Sequence, residues 1–412
     1  MNDQINASPY NWSDRTSALN GLVPEKVEQA IGLLDELDID AWLVFTQKMG
    51  DAGGDPVYPI IFGERDLGAG MLLLTRNGER IAIVGGLDVA IPRATGVWDQ
   101  VIDHQGDMGK TLVEVLTRLN PQRLAINYAR HNPKADGLSH GKYLWLQEVL
   151  SGTPFLERLI SAEELVTKLR GRKSPGEIAL IRAAIACTDT IFEEVKPFIR
   201  AGRTGREIYD FILAAVRRHG WETAWSRDHC PIVTVGPVAP IGHTPPGQAV
   251  LRRGWTLQID FGVKYNGFCA DYQRMWYILK ENETVPPPDV QRLFDTVRRG
   301  VDAIIATLKP GVPVWKPAEA AREVLVSAGY PEFKYGVGHQ LGRATHDGGP
   351  GLSRRREDMP EWVIEAGNVF TAEGLETFIE GRGWVSLEDD VLVTHNGNEV
   401  LTTQQRALWL AR

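Results

Sequence analysis

The chain has 412 residues, which is too long for one ordinary hydrophobic core and favours two large domains. Hydrophobic residues make up 43% of the chain and charged residues 24%, as in average soluble proteins, so a disordered, collagen-like or coiled-coil chain is excluded. With 45 lysines and arginines against 53 aspartates and glutamates, the formal charge is -8. This charge argues against non-specific binding to nucleic acid or to anionic membranes.

The cysteine content and the apolar runs indicate the compartment. The three cysteines are scattered and form no CxxC pair, so neither a disulfide framework nor a zinc knuckle is expected, and a reducing environment fits best. The first residues have neither the basic nor the apolar segment of a signal peptide. No apolar run approaches the roughly 20 residues that cross a bilayer. We therefore expect a cytoplasmic protein that contacts neither membranes nor nucleic acid.

The first part of the chain alternates predicted helices and short strands. Apolar residues at helical spacing predict a helix over residues 24–37, and the apolar run at 41–45 is typical of a buried strand. Such alternation favours an α/β domain, which we place at residues 1–165. No glycine-rich phosphate loop follows these strands, so no nucleotide site is expected here. The same patterns predict strands at 71–74, 81–84 and 124–126, and helices at 108–119 and 141–150.

The second part, residues 166–412, contains a clear helix start. In the sequence RKSPGE, Ser174 is placed to cap a helix, Pro175 takes the first helical position and Glu177 completes a capping box. Further helical patterns and intervening β-rich sequence indicate two rounds of helix, helix and strands, which is an α+β arrangement. The additional helices are predicted at 204–219, 288–308 and 315–328.

Two aspartates flank a predicted hairpin in this second part. Asp260 lies inside the apolar run LQIDFG, and Asp271 follows the turn sequence Asn266-Gly267. A two-residue type I′ turn would pair Gly262 with Asp271 and make the two aspartates diagonal neighbours on one face. A four-residue loop would place them directly opposite each other. Two such charges destabilise the protein unless a cation lies between them, and the alternative is a solvated face of an edge hairpin.

Further candidate metal ligands follow in similar apolar β-like contexts. His339 lies between glycines in GHQLG and is followed by His346, while Glu373 and Glu388 each end an apolar run. Each residue alone is more often structural or solvated than a ligand. Four carboxylates and one imidazole suit a divalent ion such as manganese, cobalt, zinc or iron. Two ions sharing bridging carboxylates would balance the negative charge and could clamp a nucleophilic water.

The order of these residues resembles that of the pita-bread metallopeptidases. This family includes methionine aminopeptidase, aminopeptidase P, prolidase and the metal-free creatinase. The resemblance covers residues 231–394, and the KSPGE helix start extends it back to about residue 172. A preceding α/β domain is similar to that of the prolidase, aminopeptidase P and creatinase branch. The resemblance implies a creatinase-like N-terminal α/β domain, an α+β pita-bread catalytic domain and a homodimer.

The same resemblance implies a dinuclear metal site. It assigns Asp260 to one ion, and His339 and Glu373 to the other. Asp271 and Glu388 would bridge the two ions. The expected ions are manganese, with zinc or cobalt as alternatives.

The resemblance also implies catalytic roles and an activity. His243 and His346 match the two active-site histidines, which would hydrogen-bond the substrate and the tetrahedral intermediate. Glu373 would orient the metal-bound water and accept its proton. The expected activity is hydrolysis of Xaa-Pro dipeptides, as in a prolidase. The alternatives are an aminopeptidase P acting on longer peptides, a creatinase-like hydrolase of a small amide, and a binding protein that keeps the fold without catalysis.

Four positions depart from the family pattern. Gly374, Thr377 and Ser386 stand where proline-specific members carry a proline, a tyrosine and an arginine, and Gln273 stands where a threonine is usual. These departures affect the expected substrate more than the expected hydrolysis. For the triple-arginine run, a solvated loop is favoured over a role in binding. The candidate replacements for the missing cation at a substrate carboxylate are Arg274, Arg343 and the run Arg354-Arg355-Arg356.

Overall fold

The computed structural model describes residues 12–46, 54–239, 242, 245 and 247–412, and the chain divides into two compact units. The division falls between Ser174 and Pro175, later than the 165/166 boundary expected from sequence. The reason is a helix at Glu163–Gly171, whose Leu165 and Leu169 are buried in the hydrophobic core of the first unit. The second unit then begins with the helix that starts at Pro175, as the sequence predicts.

The first domain is built on one six-stranded mixed sheet with the strand order β4-β3-β2-β1-β5-β6. Strand β1 pairs in parallel with β5 and antiparallel with β2. Its elements are α1 Trp12–Gly21, α2 Val23–Glu36, β1 Ala41–Thr46, α3 Tyr58–Ile61, β2 Gly70–Thr75, β3 Arg80–Val84, α4 Ala90–Thr95, β4 Gln100–Asp103, α5 Met108–Leu119, β5 Leu124–Ile126, α6 His140–Leu150, β6 Leu159–Ser161 and α7 Glu163–Gly171.

Helices cover both faces of this sheet. Trp42 and Val44 of β1 belong to a hydrophobic cluster with residues of α2, α3 and α7. Leu43 and Phe45 point to the other face, where they join residues of α5 and α6. Because both faces are buried, the strand sequences are continuous apolar runs rather than alternating patterns. The predicted α/β domain is thereby confirmed.

The second domain repeats the order helix, helix and strands, as the sequence predicts. The described residues of this domain form four small sheets, with the orders β11-β10-β7, β18-β12-β9-β8, β13-β16-β17 and β14-β15. Its elements are α8 Pro175–Val195, α9 Gly205–Arg218, β7 Glu222–Thr223, β8 Ile232–Val235, β9 Thr256–Phe261, β10 Val263–Tyr265, β11 Phe268–Cys269, β12 Tyr272–Ile278, α10 Pro288–Thr307, α11 Lys316–Ser327, β13 Val369–Ala372, β14 Thr377–Ile379, β15 Gly383–Val385, β16 Asp389–Thr394, β17 Gly397–Val400 and β18 Trp409–Ala411.

Helices α10 and α11 form the hydrophobic support of the strands that carry the candidate ligands. Val301 of α10 and Leu325 of α11 lie in one buried cluster with Met275 of β12, Phe370 of β13 and Val391 of β16. The α+β prediction for this domain is confirmed. Among the described residues, every helix is too short or too polar to span a bilayer.

Candidate metal centre

The hairpin that carries the two aspartates has the predicted geometry. Asn266 and Gly267 have φ values of 45° and 86°, as a two-residue type I′ turn requires. Tyr265 pairs with Phe268, and the same register continues through β9 and β12. Asp260 lies opposite Gln273 in this register, which puts Asp271 opposite Gly262 and on the same face as Asp260. The predicted diagonal arrangement of the aspartates is confirmed.

Gly262 permits the close approach of the two strands between the aspartates. A β-carbon at this position would lie 1.7 Å from the carbonyl oxygen of Ala270, a distance that no side chain tolerates. The carbonyl oxygen of Gly262 also accepts the backbone N–H of Ala224, at 2.9 Å. Glycine is therefore required here for steric reasons, although its φ is not in the left-handed region.

A second antiparallel pair brings the two glutamates together. Strands β13 and β16 pair Thr371 with Asp390 and Ala372 with Asp389. Continuing this register by one residue puts Glu373 opposite Glu388. The glutamates thus lie at matching strand ends, although fourteen residues of chain lie between them.

His339 joins the glutamates because its segment runs beside β13. The backbone N–H of Thr371 donates to the His339 carbonyl oxygen at 2.9 Å, and the His339 N–H donates to Thr371 Oγ1 at 3.1 Å. Nδ1 of His339 lies 3.4 Å from the carbonyl oxygen of Gln340. This contact favours the tautomer that leaves Nε2 available toward the carboxylates.

The imidazole and the carboxylates form a compact group of ligand atoms. Nε2 of His339 lies 3.3 Å from Glu373 Oε1 and 3.6 Å from Asp271 Oδ2. Ligand atoms of Asp271, His339 and Glu388 all lie within 4.8 Å of one another. Both carboxylate oxygens of Glu388 and Oδ1 of Asp260 are buried without a hydrogen-bond partner in the described part of the chain. A divalent cation would satisfy these oxygens, so the donor set fits a metal ion.

Burial and mutual repulsion strongly perturb these carboxyl groups. Burial raises the pKa of Asp260 to about 8 and that of Glu373 to about 7. The pKa values of Asp271 and Glu388 are raised well above their usual range, by burial first and then by the neighbouring carboxylates. Without a cation, the group cannot hold all four negative charges at neutral pH. A bound divalent cation would offset this repulsion and favour the charged carboxylates.

The metal-free protein is expected to lose stability as the pH rises. The unfolded-state pKa values of carboxyl groups lie near 4, so a raised folded-state pKa stabilises the protein fully only below about pH 4. That contribution disappears as the pH passes through the folded values of about 8 for Asp260 and about 7 for Glu373. The comparison uses urea unfolding of chelator-treated wild type and of an Asp260→Asn, Glu373→Gln double variant. From pH 5 to pH 8, the free energy of unfolding of wild type should fall relative to that of the double variant. A constant difference between the two proteins would contradict the expectation.

A cavity of about 730 Å³ opens onto the candidate ligands. Asp260, Asp271, His339 and Glu373 line it, whereas Glu388 is 1% exposed and is not part of its lining. His346 also lines the cavity, and its ring centroid lies 4.0 Å from that of His339. His243 lies outside the described residues, so the role expected for it stays a prediction.

An amide network supports the ligands, and sequence reasoning missed it. Nε2 of Gln273 donates to Asp260 Oδ2 at 3.5 Å and to Glu373 Oε2 at 3.4 Å. Its Oε1 accepts from Gln258 Nε2 at 3.0 Å and from Ser386 Oγ at 2.6 Å. Two departures from the family pattern are therefore in direct contact. The period-two spacing of side chains along the hairpin could have indicated this network. It puts four residues on one face: Gln258, Asp260, Asp271 and Gln273.

Replacing Gln273 with leucine should weaken metal binding. The change removes the N–H group that faces Asp260 and Glu373, and loss of such a supporting residue costs about 10- to 100-fold in metal affinity. Titration of manganese into the metal-free protein by calorimetry measures the effect, and circular dichroism checks the fold. Gln248→Leu, at an exposed position, is the matched control. Equal affinities for the two variants would contradict the supporting role.

The arginines that could replace the family's arginine at a substrate carboxylate do not line this cavity. Arg274 is buried and donates to the carbonyl oxygens of Glu388 and Thr403 at 2.8 and 2.7 Å. Nε of Arg343 lies 3.7 Å from Glu177 Oε1. The expectation that one of these arginines meets a substrate carboxylate is not supported by their positions. The exposed run forms ion pairs elsewhere: Arg354 with Glu332, Arg355 with Glu361 and Arg356 with Asp358.

Comparisons with known proteins agree with this geometry. Residues 179–395 match the model of the family described as metallopeptidase family M24. An uncharacterized peptidase of Staphylococcus saprophyticus is 30% identical over 337 residues, which cover 81% of this chain and 88% of the relative.

Solved structures of similar architecture cover nearly the whole chain. The X-Pro aminopeptidase from Thermotoga maritima has 25% sequence identity and a TM-score of 0.66, over 93% of this chain and 99% of the other. The Xaa-Pro dipeptidase from Bacillus anthracis has 24% identity and a TM-score of 0.70, over 94% and 99%.

Proposed function

Because the chain belongs to metallopeptidase family M24, we propose that it hydrolyses the Xaa-Pro bond of short peptides, with Xaa-Pro dipeptides as substrates and two divalent ions as cofactors. The family membership makes the chain a peptidase with an α/β N-terminal domain and a pita-bread catalytic domain. The observation that carries the proposal is the convergence of Asp271, His339 and Glu388 within 4.8 Å. The unpartnered, buried carboxylate oxygens beside them support it.

Five side chains would hold the ions. Asp260 would bind one ion, His339 and Glu373 the other, and Asp271 and Glu388 both. Divalent ions held there would lower the pKa of a water molecule, so that hydroxide would be available at neutral pH. Four carboxylates balance the charge of two divalent ions, which supports a dinuclear rather than a mononuclear site.

The surrounding residues would handle protons and charge. Glu373, held by the Thr371 hydroxyl at 3.4 Å, would accept the proton of the attacking water. His346, on the cavity wall, would donate a hydrogen bond to the scissile carbonyl oxygen as negative charge develops there. His243 would act as the second such donor. His346, His243 or protonated Glu373 would return a proton to the leaving proline nitrogen.

One observation favours the alternative of a longer substrate. The described residues that line the cavity include no lysine or arginine. A dipeptide brings its free carboxylate close to the scissile bond, where such a cation would normally pair with it. A longer peptide carries that charge farther away, as the substrate of an aminopeptidase P does. Aminopeptidase P activity is therefore the second candidate.

Hydrolysis of Ala-Pro and Ala-Pro-Ala distinguishes the two candidates. The assay compares metal-stripped and manganese-loaded protein side by side. Metal-dependent cleavage of the dipeptide alone supports the dipeptidase, and cleavage of the tripeptide supports the aminopeptidase. Absence of cleavage in metal-loaded protein would reject both, and small amides would then be the substrates to screen.

The metal identity, the assembly and the cellular location belong to the same proposal. We propose manganese as the physiological ion, a homodimer as the assembly and the cytoplasm as the location. Elemental analysis of protein purified without added metal, sedimentation equilibrium and cell fractionation test these three points separately.

A further inference from the structure

One wall of the cavity beside the candidate ligands carries a carboxylate that the proposed chemistry does not use. Glu376 lines the cavity together with Phe333, Tyr335 and Trp225. Among the described residues, no other side chain forms a hydrogen bond or ion pair with Glu376. Glu376 is also absent from the group of residues that could hold a metal ion.

The backbone turns Glu376 into the cavity. In a regular strand, Glu373 and Glu376 would point to opposite faces, because side chains alternate with period two. Gly374 and Leu375 both have positive φ values, 74° and 79°, which breaks this alternation and brings both glutamates to the cavity. The left-handed conformation is strained for a leucine, because its β-carbon comes too close to the following carbonyl oxygen. Backbone strain of this kind concentrates at functional sites.

The aromatic side of this wall is held in place from behind. Arg322 donates from Nε to the Phe333 carbonyl oxygen at 2.8 Å and from Nη2 to the Tyr335 carbonyl oxygen at 3.0 Å. The Phe333 and Tyr335 rings lie 5.5 Å apart at 66°. A β-carbon at Gly374 would lie 2.9 Å from the Phe333 ring, so the aromatic segment packs tightly on the chain that carries Glu376.

The wall remains open to a ligand. Tyr335 is 75% exposed, and Phe333 and Glu376 are partly exposed. Lys334, between the two aromatic residues, is exposed and is not part of the cavity lining.

A carboxylate beside aromatic rings has a defined binding preference. The faces of aromatic rings attract cations, and a carboxylate without a partner forms charge-assisted hydrogen bonds with ammonium or guanidinium groups. An anionic ligand would be repelled, and a neutral apolar one would leave the carboxylate desolvated and unpaired.

We propose that Glu376, Phe333 and Tyr335 form a subsite for a positively charged group, an ammonium or guanidinium, of the peptide substrate. The proposal rests on the proposed peptidase function and specifies its substrate class. A substrate that carries arginine or lysine beside the scissile bond would place its charge at this wall.

Matched peptides test the subsite. The pairs are Arg-Pro-Gly with citrulline-Pro-Gly and Gly-Pro-Arg with Gly-Pro-citrulline, because citrulline has the shape of arginine without its charge. In at least one pair, wild type should prefer the arginine peptide about tenfold or more in kcat/KM. Glu376→Gln should bring that ratio close to one, and Glu376→Arg should invert it. Glu380→Gln, at an exposed position directly after β14, should keep the wild-type ratio.

A binding measurement separates this proposal from the proposed function. Saturation-transfer NMR with the metal-loaded protein compares agmatine, a guanidinium compound, with neutral N-butylurea. Wild type should bind agmatine more tightly, and Glu376→Gln should remove the difference, even if no proline peptide is cleaved. If wild type cleaves the arginine peptide and the citrulline peptide of each pair with equal kcat/KM, the subsite is overturned and the peptidase function stays intact. Equal agmatine binding by wild type and Glu376→Gln would also overturn it.

Discussion

Asp271→Ala should abolish divalent metal binding and peptide hydrolysis together. The Asp271 carboxylate lies 3.6 Å from His339 Nε2 and is proposed to bridge both ions. Turnover should fall by more than about 100-fold, the upper end of what loss of a merely supporting residue costs. The fold should persist, because removing one of several buried carboxylates lowers the electrostatic repulsion within the metal-free protein. Elemental analysis and peptide assays, with circular dichroism for the fold, measure the three quantities.

Asp228→Ala provides the matched control, because Asp228 is exposed in the same domain. It should keep the metal content and the turnover of the wild type. Asp271→Asn retains the shape of the side chain while removing its charge, so it should also lose metal. Substantial activity in either Asp271 variant would contradict the dinuclear assignment.

Asp389→Ala should cause the largest loss of folding stability among these variants. Asp389 is fully buried, lies 2.6 Å from Arg298 Nη1 and 3.3 Å from Arg274 Nη1, and accepts the Thr402 hydroxyl at 2.9 Å. Its removal leaves two buried guanidinium groups without their shared carboxylate. Breaking a buried ion pair in this way costs about 3–5 kcal/mol. Urea unfolding of the metal-free protein measures the free energy.

The control for this variant is Asp302→Ala. Asp302 also pairs with Arg298, at 3.0 Å, but its side chain is 36% exposed. An exposed pair contributes roughly 0–1 kcal/mol. Similar losses for the two variants would mean that the buried network around Asp389 does not carry the expected stability.

The local elements follow closely from the sequence, because their causes are local. Helix α5 spans Met108–Leu119 and strand β5 spans Leu124–Ile126, both as predicted from apolar spacing. The Asn266-Gly267 pair determines its own turn, and the turn determines the register of the hairpin. Helix α7 is the clearest departure in the placement of the domains. Its apolar side chains pack on the first domain, a tertiary contact that no local pattern expresses.

The candidate site was predictable only in part. Residue types and motif order indicated the ligands, and the structure brings Asp271, His339, Glu373 and Glu388 together. The sequence did not indicate that Gln273 contacts Ser386, because more than a hundred residues separate them. Nor did it indicate that Arg274 is engaged by the Glu388 and Thr403 carbonyl oxygens. Both facts depend on how distant strands pack side by side.

The sequence by itself therefore determined most of the longer helices and strands, the hairpin at Asn266-Gly267 and the set of oxygen and nitrogen donors. These properties depend on residues near one another in the chain, through turn chemistry and side-chain periodicity. The tertiary structure decided which carboxylate oxygens stay without partners, which arginines are engaged elsewhere and which charge lines the cavity. Burial and hydrogen bonding between distant segments set these outcomes, because the groups packed around a side chain determine its protonation and its partners.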